Sequence, residues 1–233
     1  MKLTKRLAAV ASFVERGSIP VDVGTDQGYI PVHLIEKGIC TKVYATDISQ
    51  GSLEKAEDFI HKNAMEDRIV TRLGAGLSII QPGEVNVVII AGMGGYLIRD
   101  ILEESPAVLE KADRLILHPM VAQDALRRWL ISNDYSIVDE ELVQEDNRFY
   151  EIIVAGHGTE KYEREIYFDI GLKLLEKRHP LLQAYLEKKM ATCRGLIKHL
   201  KTKGTEKAMN RYHELIKKLN EYEEVYKWIV HAK

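Results

Sequence analysis

The stretch Val85-Asn86-Val87-Val88-Ile89-Ile90-Ala91 constrains the fold more than any other part of the chain. A strand so nearly continuous in apolar residues must be covered on both faces, which happens when helices flank a largely parallel sheet on either side. The segment therefore belongs in mid-sheet, and its neighbours in sequence should supply the helices. From Ile19 to Gly156 short β-branched runs do alternate with amphipathic segments, the pattern of an α/β sheet wrapped by helices. Strands are expected near 19–23, 42–46, 68–73, 85–91, 114–118, 135–143 and 148–155. Helical patterns separate the first five. Only Gln144-Glu145-Asp146-Asn147 lies between the last two, too short for a crossover helix, so these must pair as an antiparallel hairpin.

Past Gly156-His157-Gly158 the period changes. Leu175, Leu182, Leu186, Met190, Cys193, Ile197 and Leu200 fall at helical spacings, as do Met209, Tyr212, Ile216, Leu219, Tyr222 and Tyr226, which predicts two long helices. Between them Gly204 suits the left-handed residue past a helix end and Thr205 suits the next N-cap, so the pair should fold back as an antiparallel coiled-coil hairpin. Two domains are expected, 1–158 and 159–233. Charge divides similarly, with 16 Lys and Arg against 24 Asp and Glu over 1–159, and 17 against 11 over 160–233. A basic appendage on an acidic domain points to a polyanionic partner, a solvated lysine-rich helix face being the alternative. Lys188, Lys189, Arg194, Lys198, Lys201 and Lys203 are the candidate phosphate contacts. No apolar run approaches the roughly 18 residues of a membrane span, so a cytoplasmic protein is expected. Cys40 and Cys193 stand alone, giving no disulfide framework and no metal site.

The first βα corner reads Val21-Asp22-Val23-Gly24-Thr25-Asp26-Gln27-Gly28-Tyr29. A dinucleotide fingerprint would need a third glycine here, and a pyrophosphate would meet Asp22 and Asp26 at like charge. S-adenosylmethionine has the opposite requirement, because it carries an ammonium and a sulfonium and no phosphate. A turn held by Gly24 and Gly28 and flanked by carboxylates suits it. Asp47, ending the second strand before Ile48, is placed to accept hydrogen bonds from both ribose hydroxyls. Ser49 already serves as the cap of the next helix, so a purely structural Asp47 would be redundant. Gly74-Ala75-Gly76 lets the backbone approach a flat adenine. After the fourth strand, Ala91-Gly92-Met93-Gly94 lies at the corner where open α/β sheets place their chemistry.

Five parallel strands ending in a hairpin resemble the class I methyltransferase sheet, whose seventh strand inserts antiparallel. Together VDVGTDQGYIP, ATDIS, IIAGMGG, HPMVAQDALRRWL, EDNRFYEIIVAG and the opening KLTKRLAAVASFV resemble the bacterial tRNA (adenine-22-N1)-methyltransferase family over the whole chain. The chain departs from that pattern at Gln27-Gly28, where the family has His-Ala, at His118-Pro119-Met120, where it has Gln-Pro-Asn, and at Ala75, where it has Asn.

The resemblance implies methyl transfer from S-adenosylmethionine to N1 of an adenine in the D-arm of tRNA. That nitrogen has a free lone pair when unpaired, so positioning can supply most of the catalysis, and the base must be extruded from its stack. Tyr29 is the candidate stacking ring, or else a ring packed beneath the loop. Asp22 or Asp26 is the candidate that stabilises positive charge on the methylated base, with Asp22 preferred, or else Asp22 hydrogen-bonds loop amides. Arg6, with Lys5, is a candidate for cofactor carboxylate or tRNA phosphate. His118 reads as structural, and Arg127 and Arg128 as surface residues, with phosphate contacts as their alternative. Two alternatives stay open: a small-molecule methyltransferase with a dimerising coiled coil, and an RNA-binding protein with a vestigial cofactor site. The oligomeric state is not fixed by the sequence, with a monomer slightly favoured.

Overall fold

The computed structural model describes residues 3–201 and 205–231. The chain divides into two compact units, 1–161 and 162–233. In the first, α1 (Lys5–Ser12) precedes a Rossmann-like alternation of β1 (Pro20–Val23), α2 (Tyr29–Glu36), β2 (Val43–Asp47), α3 (Gln50–Lys62), β3 (Ile69–Leu73) and β4 (Val87–Met93). The helices α4 (Gly95–Glu103) and α5 (Pro106–Leu109) then lead to β5 (Arg114–Pro119), α6 (Gln123–Ser132), β6 (Tyr135–Glu145) and β7 (Arg148–His157). These form a seven-stranded sheet of order β3-β2-β1-β4-β5-β7-β6. The first five strands pair in parallel, and β7 runs antiparallel to both β5 and β6. The mid-sheet strand expected from 85–91 is β4, whose Val87–Ile90 are buried on both faces, and the expected hairpin is β6–β7. The fold expected from the sequence, including the inserted antiparallel strand, is thus the one observed.

Arg127 corrects the surface reading. It is fully buried, and its Nε and Nη2 each donate at 2.6 Å, to Glu140 Oε1 on β6 and Glu151 Oε2 on β7. A buried guanidinium is tolerable only when its charge is matched, and the hairpin presents two carboxylates for it. The inward turn of Glu140 follows from a bulge: the β6–β7 register shifts between Ile137 and Asp139, which moves the buried positions from 135 and 137 to 140 and 142.

In the second unit α7 (Ile166–Ile170) and α8 (Leu172–Glu176) precede the long helices α9 (Leu182–Leu200) and α10 (Glu206–His231). Leu175 therefore lies in a separate short helix, not in the first long one. Arg178 at φ +47 and Pro180, which disfavours helix in the residue before it, end that turn. Tyr226 on α10 meets Gln183 and Glu187 on α9, and Glu223 meets Arg194, so the two long helices run antiparallel. Asp169 on α7 ties them together through Lys189, Lys218 and Tyr222. Burial acts to raise its pKa, but the two ammonium groups and the Tyr222 hydrogen bond together outweigh it and hold the carboxyl below its ordinary value. Thr205 Oγ1 accepts from Ala208 N, as a cap should. Gly204 and Lys203 lie outside the described residues.

Candidate active site

A cavity of about 550 Å³ opens at the C-terminal edge of β1, β2, β3, β4 and β5. Its floor is the loop after β1. Gly24 N and Thr25 N both donate to Thr46 O (2.8 and 2.9 Å), and Asp26 N donates to Asp47 Oδ2 (3.1 Å), which binds this loop to the end of β2. Asp47 Oδ1 takes Ser49 N at 2.9 Å, while Ser49 Oγ caps α3. The carboxylate thus does structural work that the sequence reading called redundant. Each oxygen accepts one amide and keeps a lone pair, which leaves capacity for a pair of vicinal hydroxyls.

Asp22 is buried, and Thr25 Oγ1 donates to its Oδ2 at 2.7 Å. Burial pushes its carboxyl up to about 7, against the Thr25 hydrogen bond and with the help of neighbouring Asp47. A ligand cation beside Asp22 would return it to the charged form. Gly24 adopts φ +72, and an added Cβ there would lie 2.2 Å from Met93 Cε, so the end of that methionine would have to move aside. Arg72 on β3 steadies the opposite wall. It donates to Ile79 O at 2.9 Å and makes two 2.6 Å bonds to Glu84, which holds the loop carrying Gly74, Ala75 and Gly76 against the cavity.

The cavity brings together Asp22, Gly24, Asp26, Tyr29, Asp47, Ile48, Gly74, Ala75, Gly76, Ala91, Gly92 and Met93, with Arg6 from α1. Gln27, Gly28 and Gly94 do not line it. Gly28 is the N-cap of α2, where a Cβ would lie 3.3–3.6 Å from Ala56, Gly94 is the N-cap of α4, and Gln27 accepts from the Tyr29 hydroxyl. Tyr29 packs edge-on against Phe59 with ring centroids 5.2 Å apart, so its ring is anchored to the core as well as facing the cavity. Among the RNA candidates, Lys5 is exposed, and Lys188, Lys198 and Lys201 are exposed on or just beyond α9. Arg194 is paired with Glu223 at 2.8 Å, and Lys189 donates to Asp169 O at 3.0 Å. Lys203 lies outside the described residues.

Thr46 and His118 are cavity residues absent from the sequence reading of the site. Both are fully buried, and neither Thr46 Oγ1 nor His118 Nε2 has a partner among the described residues. Only the β4–β5 ladder, which sets His118 opposite Ala91, could have signalled the histidine. Arg6, 3.4 Å from Glu145 Oε2 and stacked 5.4 Å over the Tyr150 ring, stands at the same end. In chemical terms the cavity offers buried carboxylates and neutral donors, suited to a cationic nucleoside and unsuited to a pyrophosphate. No group of metal-ligating side chains occurs among the described residues.

Residues 3–153 match the family model of a methyltransferase domain. The tRNA (adenine(22)-N(1))-methyltransferase of Bacillus subtilis is 35% identical over 75% of this chain and 71% of its own. A Streptococcus pneumoniae protein solved in complex with S-adenosyl-L-methionine superposes with a TM-score of 0.86 at 32% identity, covering 97% of this chain and 100% of that one. The M. capricolum TrmK, solved with S-adenosyl-homocysteine, gives 0.83 at 26% identity over 98% of each chain. With 35% identity across most of both chains and a methyltransferase-domain match over residues 3–153, this chain belongs to the tRNA (adenine(22)-N(1))-methyltransferase family.

Proposed function

We propose that the protein methylates N1 of adenine 22 in the D-arm of tRNA with S-adenosylmethionine as cofactor. The observation that carries this reading is the cavity at the strand ends, where buried Asp22 and Asp47, in place of anion-binding amides, face the ligand space. The cofactor would supply an electrophilic methyl on a sulfonium; the N1 lone pair forms the new N–C bond as the C–S bond breaks, so the thioether leaves neutral and the positive charge passes to the adenine. Asp47 takes the ribose hydroxyls, and the Gly74–Gly76 loop lies along the cofactor's adenine. Asp22 faces the cationic portion and, once ionised, favours the charge that passes to the base. Gly92, at φ +83 with open space where a Cβ would stand, lets the target base approach the main chain. Tyr29 borders the same space.

The reaction belongs in the cytoplasm, where tRNA is the partner. Among the described residues no helix is long and apolar enough to cross a membrane. Lys188, Lys198 and Lys201 serve phosphate contacts, whose contribution is affinity without sequence information. The test is transfer of labelled methyl from S-adenosylmethionine to unmodified tRNA transcripts, with adenine 22 replaced by guanine in the control. Label confined to the adenine transcript, recovered as 1-methyladenosine, is expected. Label in neither transcript, with both ligands bound, would overturn the substrate assignment.

A further inference from the structure

The β4–β5 ladder is broken by a register shift between Ala91 and Met93. Such bulges free a main-chain group from the ladder, and here the Gly92 amide is captured by a side chain, donating to His118 Nδ1 at 3.1 Å. That bond fixes the tautomer: Nδ1 is the acceptor, so in the neutral ring the proton is on Nε2. Nε2–H has no partner among the described residues, although His118 is fully buried and lines the cavity. Leaving a buried donor unpaired is unfavourable, and such a donor beside a ligand space points to an acceptor on the ligand.

Sheet order says which ligand. Asp47, Gly24 and the Gly74–Gly76 loop lie at the ends of β2, β1 and β3, whereas His118 ends β5, on the far side of β4. Three strand spacings separate β2 from β5, roughly 14 Å, so the cofactor half of the cavity and the histidine are at opposite ends. Between them lie Gly92 and Met93, at the corner where the methyl must pass. Around the histidine are Met120, Arg6 and the Tyr150 ring, 5.6 Å away between centroids. Burial, with the Arg6 guanidinium nearby, favours the neutral ring, so it adds no positive charge beside the cationic cofactor.

We propose that His118 Nε2–H donates a hydrogen bond to a ring nitrogen of the target adenine, N3 or N7, and so positions N1 for attack. This rests on the function proposed above. Adenine offers three ring acceptors; N1 is consumed by the methyl, which leaves the other two.

The test uses the full-length protein and tRNA carrying 7-deazaadenosine or 3-deazaadenosine at position 22. With the wild-type enzyme, one analogue should lower kcat/KM about tenfold, the loss of one neutral hydrogen bond, and the other should not. His118→Phe should lower kcat/KM on normal tRNA by the same factor and show no further loss with the sensitive analogue. His118→Gln, which keeps an acceptor for Gly92 and a donor, should stay within a few-fold of wild type. The wild-type analogue series stands even where His118→Phe fails to fold. Equal rates on both analogues with the wild type would overturn the proposal. So would a His118→Phe loss confined to cofactor affinity. Failure of the wild type to methylate normal tRNA would instead remove the functional reading beneath it.

Discussion

Replacing Asp22 with asparagine keeps the shape of the side chain and removes its charge. Burial raises the Asp22 carboxyl from 3.8 to about 7. The folded protein therefore holds this proton more tightly than the unfolded chain, and its stability must fall as pH rises from about 4 to about 7, then level off. A rise of about three pH units corresponds to roughly 4 kcal/mol. The Thr25 hydrogen bond is already included in that shift and survives with an amide oxygen as acceptor. Without ligand, Asp22→Asn should match the wild type near pH 4 and exceed it by about 3 to 4 kcal/mol at pH 8, or on the order of 8 °C in Tm. Cofactor binding should move the opposite way. A cation beside Asp22 draws its pKa down, so wild-type affinity should rise up to tenfold per unit from pH 5.5 to 7, with proton release, and plateau above. The variant should bind more weakly with no such slope. Titration calorimetry in buffers of different ionisation enthalpy, with thermal melts across the same range, reads both quantities. A flat wild-type affinity profile, or a variant that keeps the wild-type slope, would refute the reasoning.

Arg127→Met should lower stability by about 3–5 kcal/mol in thermal melts, because it strands Glu140 and Glu151 without their countercharge; a melt unchanged within 1 °C would show that the triad is unimportant. Gly24→Ala should cost only about 1–2 kcal/mol in stability, from the left-handed φ of +72. It should cost cofactor affinity more heavily, since the Met93 methyl must swing toward the cavity, and an unchanged Kd would contradict that geometry. Replacing Lys198 and Lys201 together with alanine should weaken tRNA binding and flatten the dependence of log K on log salt by about two. A slope equal to wild type would remove both lysines from the RNA contacts.

Where sequence and structure agree, the determinant is local. The apolar run at 85–91 could only be a doubly covered strand, and four residues between the last two strands could only make a hairpin, so the sheet was legible before any coordinate. Ser49 and Thr205 cap the helices they precede for the same reason: a cap needs only its own next turn. What stayed hidden depends on approach between distant segments. Arg127 looked solvent-exposed because its charge is visible and its partners are not. Glu140 turns inward only because of a bulge that the alternation of β6 does not announce.

The site shows the same division. Asp47 was picked out from its place at a strand end, yet its hold on Asp26 N was not, since that bond needs the β1 and β2 corners side by side. His118 is the sharper case. In sequence it is a lone histidine after a strand, and its role rests on a main-chain amide 26 residues away that a ladder defect releases. A buried donor without a partner becomes visible only once every neighbour has been placed. That is why the half of the cavity proposed to hold the cofactor was readable from motifs, and the histidine proposed to meet the target base was not.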